Sequence, residues 1–294
     1  MRVTNQMLFE AQGQQIAAAR EKMLEAQTRM TTGVRVNHPG DDPAAAGVIV
    51  SHRMALERFD IIDQTIARAA EEAEVADGAL QGVSTLIARA RELAVQLGND
   101  SYSNIERDGG ALEISAIFGQ MTQLMNTQVA GRYVFGGNID RTPPFSALGA
   151  YAGDTNIRQV EVAPGLVQNQ SVRADQALKG VGGGVDVFAT LTTLSTAMAA
   201  NDGAGIRGTL AALESSVDQI ASALTQTGGI LEGFSSARNI GGVAKLSAQT
   251  LLTAASEVDV FEAASALTRA QTSLEASLSV AAKSFNRSLL DFLR

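Results

Sequence analysis

The 294-residue chain contains no cysteine. That excludes disulfides and thiolate–zinc chemistry, and it leaves the compartment open, because a reducing cytosol and an unfolded export route both tolerate such a chain. Tryptophan is also missing, and aromatic residues make up only 4%, which is thin for the core of a globular enzyme. Lysine is confined to Lys22, Lys179, Lys245 and Lys283 among 23 basic residues, and the net charge is −8. With no polybasic run, no nucleic-acid footprint is expected. No apolar stretch approaches the roughly 18 residues of a bilayer-spanning helix, so no membrane partner is expected either. The opening MRVTNQMLFEAQGQQ lacks an apolar h-region, so a cleaved secretory signal is not expected and any export uses another route.

Motifs that carry chemistry are equally scarce. His38 and His52 are the only histidines, and no HExxH or paired metal spacing accompanies them. GxxxxGK[ST] does not occur, and the glycine run GVGGGVD (180–186) fails GxGxxG, because Val185 holds the final position. Asp41-Asp42 could in principle share a metal or a proton, but an acid pair beside Pro43 reads first as turn and helix cap. Three N-x-S triplets, at Asn99, Asn169 and Asn286, are as many as chance supplies. The chain is expected to be no enzyme and to need no cofactor or metal.

What the chain does have is helical periodicity. Apolar residues fall at Phe59, Ile62, Ile66, Ala69, Ala73, Ala76, Leu80, Val83, Ile87, Ala90, Ala94 and Leu97. These alternating steps of three and four make a heptad seam. Asp42 can N-cap this helix, and Pro43 suits its first position, where the missing N–H costs nothing. From Pro43 to Leu97 it would run about 80 Å, which predicts a rod. Ala111, Ile114, Phe118, Met121 and Met125 repeat the spacing, as do Ile206, Leu210, Leu213, Val217, Ile220 and Leu224, so antiparallel neighbours in a bundle are expected.

The two ends carry narrow seams of their own. Phe9, Ile16, Met23 and Met30 stand seven apart, with Ala19 and Ala26 between them. Val260, Leu267, Leu274 and Ala281 stand seven apart, with Ala264, Leu278, Phe285 and Phe292 as companions and Gln271 the polar exception. Isolated helices of this kind are marginal in water. They could pair with each other, bury against other subunits, or stay frayed until assembly. Between 133 and 184 lie three of the five prolines and many glycines, and RQVEVAPGLVQNQSV reads as a hairpin turning at Pro164-Gly165. The expected fold is mainly α. It is an elongated helical rod with a coiled-coil-like bundle (43–132 and 185–257), carrying a small β-rich insert (133–184) at its far end. The terminal helices (1–42 and 258–294) are brought together.

TTGVRVNHPGDDPAAAG (31–47) resembles the joint of the flagellin family, in which T/S-G-x-R-(V/I/L)-N precedes D-D and a small-residue helix start. ARARELAVQLGNDSYSNIERDGGALEI (88–114) resembles the turn that follows in that family. The opening MRVTNQM, the segment GRYVFGGNIDRTPPF (131–145) and the ending LTRAQTSLEASLSVAAKSFNRSLLDFLR are more similar to the family's hook–filament junction member than to filament flagellin. Gly241-Gly242 departs from the continuous helix of the family at that point.

The resemblance implies a structural protein of the bacterial flagellum. It would be exported unfolded by the flagellar type III route with a dedicated chaperone, and would assemble as a ring with copies of itself between hook-associated protein 1 and flagellin. On that footing Phe9, Ile16, Met23, Met30, Val260, Leu267, Leu274, Leu278, Phe285 and Phe292 would form subunit interfaces. Gly33, Arg35, Asn37, Asp41, Asp42 and Pro43 would form the joint, with Gly33 as a helix C-cap and 34–40 as an extended linker. Arg89, Leu93 and Glu113 occupy the positions of a patch that an innate immune receptor senses in flagellin-like proteins. Filament flagellin itself and a non-flagellar coiled-coil scaffold stand as alternatives.

Overall fold

The computed structural model describes residues 5–292, with side chains placed for Met7 and for residues 9–283. The chain is mainly α: α1 (Asn5–Thr32), α2 (Pro43–Leu97), α3 (Asn104–Met125), α4 (Ala174–Lys179), α5 (Val187–Ala199), α6 (Gly203–Gly208), α7 (Leu210–Ser256) and α8 (Val260–Phe292). The strands are short: β1 (Gln128–Val129) with β2 (Arg132–Tyr133), and β3 (Gln159–Ala163) with β4 (Leu166–Asn169), both antiparallel pairs. Two compact units emerge, one of residues 1–57 and 244–294 and one of residues 58–243.

In the second unit the heptad seam of α2 becomes the core. Every seam position from Ile62 to Leu97 is buried, and only Phe59 keeps partial exposure. The α2 helix stops at Leu97, and Ser103 opens α3 with a capping box: its side chain accepts from Glu106 N while the Glu106 carboxylate accepts from Ser103 N. The α3 helix then runs back along α2, as the approaches of Gly110 to Leu97 and of Gly82 to Leu124 require. The α5 helix returns against α3, where Ser195 Oγ donates to Ala111 O at 3.2 Å and Phe118 meets Phe188 edge-on with centroids 4.9 Å apart. Antiparallel to α2 lies α7, as the pairs Arg91–Glu214 at 3.7 Å and Asp63–Arg238 at 2.9 Å record. Buried Arg107 closes the α2–α3 turn by donating to the carbonyls of Leu97, Asn99 and Asn201. The Asn99 carbonyl also accepts from Tyr102 N at 3.3 Å.

Three features differ from expectation. The β-rich segment does not sit at the far end of the bundle, because the length of α3 carries the chain back along α2 before β1 begins. The hairpin therefore lies beside the middle of α2, with Val160 and Val162 buried against Ile62, Ile66, Ala69, Ala73 and Phe234. The seam from Ile206 to Leu224 is broken at Thr209 between α6 and α7, where the Thr209 hydroxyl donates to Ile206 O. Conversely α7 runs unbroken through Gly241-Gly242, since a glycine pair costs a helix only about 1–2 kcal/mol. Pro164-Gly165 does turn the hairpin, with Gly165 at φ +77°, and Asp186 does N-cap α5, accepting from Ala189 N.

Candidate assembly site: terminal helices and their joint

The first unit is built on α1 and α8, which pack antiparallel beside one another. At the end of α1, Gly33 takes φ +68° and its N–H reaches Arg29 O at 3.0 Å, the left-handed cap that a helix C-terminus favours. The chain then pairs briefly with the segment between α7 and α8. Val34 and Glu257 form an antiparallel bridge, Arg35 N donates to Ser256 O at 2.7 Å, and Val258 N donates to Gly33 O at 3.0 Å. The Arg35 guanidinium reaches both sides, donating to Ala255 O at 3.2 Å and to Asp42 Oδ2 at 3.0 Å.

Only the start of the linker is extended. His38–Asp41 is a turn closed by Asp41 N to His38 O at 3.0 Å, with Pro39 at the position whose fixed φ a turn prefers. The Asp41 carboxylate accepts from the N–H groups of Asn37 and His38 at 3.0 and 2.9 Å. It caps this turn and does not cap a helix. The His38 N–H is the main cause that holds the Asp41 carboxyl below its ordinary range. Asp42 is the N-cap of α2, its Oδ1 accepting from Ala45 N at 3.0 Å. That N–H, then Arg35, lowers the Asp42 carboxyl too. Asn37 completes the knot by donating to Val34 O. All six expected joint residues are thus gathered here, with Pro43 opening α2. Among the described residues no His, Asp and Glu cluster could hold a metal. No helix among them is long and apolar enough to cross a membrane.

Sequence reasoning missed the other half of this joint. Asp259 caps α8, accepting from the N–H groups of Phe261 and Glu262. The pattern D-x-x-E at Asp259–Glu262 was the available signal.

Along the helices the pair uses the small side of the seam. Ala19 and Ala26 of α1 are buried, as are Ala263 and Ala281 of α8, with Ile16, Met23, Leu267 and Leu274 half-covered. Other expected seam residues are left at the surface: the companion Leu278 is 49% exposed and Val260 61%, and Phe9 and Met30 are also exposed. The Phe285 and Phe292 side chains lie outside the described residues. Methyl groups bury far less apolar area than leucine or phenylalanine, which contribute about 1.5–3 kcal/mol each, so the fully buried part of the intrachain contact is small.

Arg89 and Glu113 face each other across α2 and α3, with Arg89 Nε 2.7 Å from Glu113 Oε1 and Nη1 2.7 Å from Glu92 Oε2. These carboxylates, Glu113 first, push the guanidinium further toward its charged form. Leu93 is not beside them at the surface: it is 5% exposed and belongs to the core.

The family described as bacterial flagellin N-terminal helical region matches residues 3–140. Flagellar hook-associated protein 3 of Salmonella typhimurium (strain LT2) is 32% identical over 157 residues, which cover 52% of this chain and 49% of that protein. Over that stretch the chain is similar to flagellar hook-associated protein 3. It spans about half the length of the curated relatives it matches. Among solved structures, FlgL of Bacillus cereus covers 69% of this chain and 99% of its own at 24% identity and a TM-score of 0.59. The flagellar junction protein FlgL of Legionella pneumophila covers 71% and 100% at 14% identity, also with a TM-score of 0.59. At those identities the likeness speaks for a shared fold, the mainly α architecture of the hook-associated protein 3 structures.

Proposed function

We propose that this chain is a structural subunit of the bacterial flagellum that joins the hook to the filament. The observation that carries the proposal is the 157-residue match to hook-associated protein 3, together with a fold like that of a flagellar junction protein. The apolar line left at the surface of α1 and α8 suits the role, because such a surface is covered only when subunits come together. In this reading the chain forms a ring with copies of itself, contacts hook-associated protein 1 on one side and flagellin on the other, and travels to the cell exterior with an export chaperone. It acts by packing and carries out no reaction. Immunogold labelling of intact flagella tests it: a single labelled band where hook meets filament is expected, whereas label along the whole filament would favour filament flagellin, a reading supported by the name of the matching family.

Recognition by an innate immune receptor is a separate proposal resting on Arg89, Leu93 and Glu113. With Leu93 in the core, the Arg89–Glu113 pair would have to carry it. A reporter-cell assay on purified protein and on Arg89→Ala decides: equal signal from both would remove the patch from consideration.

A further inference from the structure

Behind the β3–β4 hairpin lies a narrow pocket whose polar lining is Glu72, Arg158, Gln170, Ser171 and Thr227. It offers about 10 Å³ to the centre of a water-sized sphere, room for one water molecule. Arg158 is 8% exposed. Its Nη2 donates to Glu72 Oε2 at 2.8 Å and to Val134 O at 3.4 Å. Gln170 Nε2 donates to the same Glu72 oxygen at 2.8 Å. Arg158 Nε, by contrast, is buried with no acceptor among the described residues, and a buried N–H left unmade is costly.

The occupant has to meet four conditions. It accepts from Nε–H, fits the space of one small molecule, tolerates the Glu72 carboxylate and tolerates the guanidinium. An anion fails beside Glu72, a cation fails beside Arg158, and an apolar group leaves Nε unsatisfied. Water accepts and donates at once. Both bonds recorded at Glu72 fall on Oε2, so Oε1 keeps acceptor capacity. The Thr227 hydroxyl gives its own hydrogen to Ala223 O at 2.9 Å, so its lone pairs can accept as well.

We propose that one water molecule is built into this pocket, accepting from Arg158 Nε and donating to the Glu72 carboxylate and the Thr227 hydroxyl. It completes a latch between the hairpin, α2 and α7. Arg158 stands just before β3 and its N–H donates to Ser171 Oγ; Glu72 belongs to α2 and Thr227 to α7. The water therefore ties together the three segments among which Val160 and Val162 are buried.

Two measurements on the full chain test the site. In ¹⁵N-labelled protein, the Arg158 Hε resonance, assigned by its disappearance in Arg158→Lys, is expected to show a cross-peak to a long-lived water with the sign of slow tumbling. In Thr227→Val, with the remaining amide spectrum unchanged, that cross-peak weakens and the Arg158 and Gln170 amides exchange several-fold faster. A crystal structure that resolves ordered solvent is expected to place one water on Nε. An Hε without a water cross-peak in the folded wild-type chain, or density showing Nε on a protein acceptor, would overturn the proposal.

Discussion

Val34 and Glu257 stand opposite one another in an antiparallel bridge, although 222 residues separate them in sequence, roughly three quarters of the chain. The bridge joins the end of α1 to the start of α8 through the bonds of Arg35 N and Val258 N. It gives the first unit an anchor that does not depend on the weak alanine-lined contact of the helices themselves. Helix pairing and joint closure should therefore be separable by experiment.

Replacing Arg35 by methionine removes the guanidinium bonds to Asp42 and Ala255 and leaves the backbone bridge. The expected outcome is faster cleavage by the broad-specificity protease proteinase K near residues 34–41, with the melting of the 58–243 unit unchanged. Limited proteolysis followed by mass spectrometry reads the site of cleavage.

The joint should also weaken in acid. Asp41 and Asp42 both have folded pKa values below the ordinary 3.8. A depressed folded pKa means that the contribution is fully present above the unfolded value and is lost as pH falls through the folded one. Hydrogen exchange of the Asn37, His38 and Ala45 amides, corrected for intrinsic rates, should be unchanged from pH 7 to about 5. Protection should fall progressively below about pH 4. Amides of the same protection at pH 3 and pH 6 would refute the capping roles.

The two leucines of the α8 seam should behave differently. Leu274 is half-covered, whereas Leu278 is 49% exposed. Leu274→Asp should lower helicity of the isolated chain by circular dichroism. Leu278→Asp should leave the isolated chain folded and exported, yet fail to build the junction. Normal filaments on the Leu278→Asp strain would exclude that residue from the assembly surface.

In the second unit the aromatic cluster of Phe118, Phe145 and Phe188 closes the bundle, with Phe145 and Phe188 centroids 5.4 Å apart. Phe188 is fully buried. Truncating it to alanine should cost roughly 3–5 kcal/mol, seen as a lower melting midpoint in urea, while the joint amides keep their exchange rates.

Purified monomer at low concentration should lose its ends to protease, before about Thr32 and after about Val258, with the 58–243 unit surviving. The small alanine surface that α1 and α8 bury against each other is the reason. Both ends protected in a dilute monomer would count against ordering on assembly.

Periodicity made the helices legible, because a step of three and four over many turns leaves one face to bury and the structure buries it from Ile62 to Leu97. The joint was legible on one side, since glycine, proline and paired acids each carry a local backbone preference. Its partner strand at Ser256–Val258 was not, because a single bridge leaves no pattern in either segment. The place of the hairpin was also hidden: it follows from the length and direction of α3, and direction is set by packing. Nor could spacing decide which line of the α8 seam faces α1, since Ala263 and Ala264 are chemically identical. Leu93 shows the same limit from the other side, a residue off the main seam that α3 and its neighbours nevertheless cover.

The most direct test of the flagellar role is an in-frame deletion of the gene in the source bacterium, with cells and culture medium viewed by electron microscopy. Intact hooks on the cells, filament protein shed into the medium and lost motility are expected, with restoration by the gene supplied in trans. Full-length attached filaments on the deletion strain would contradict it.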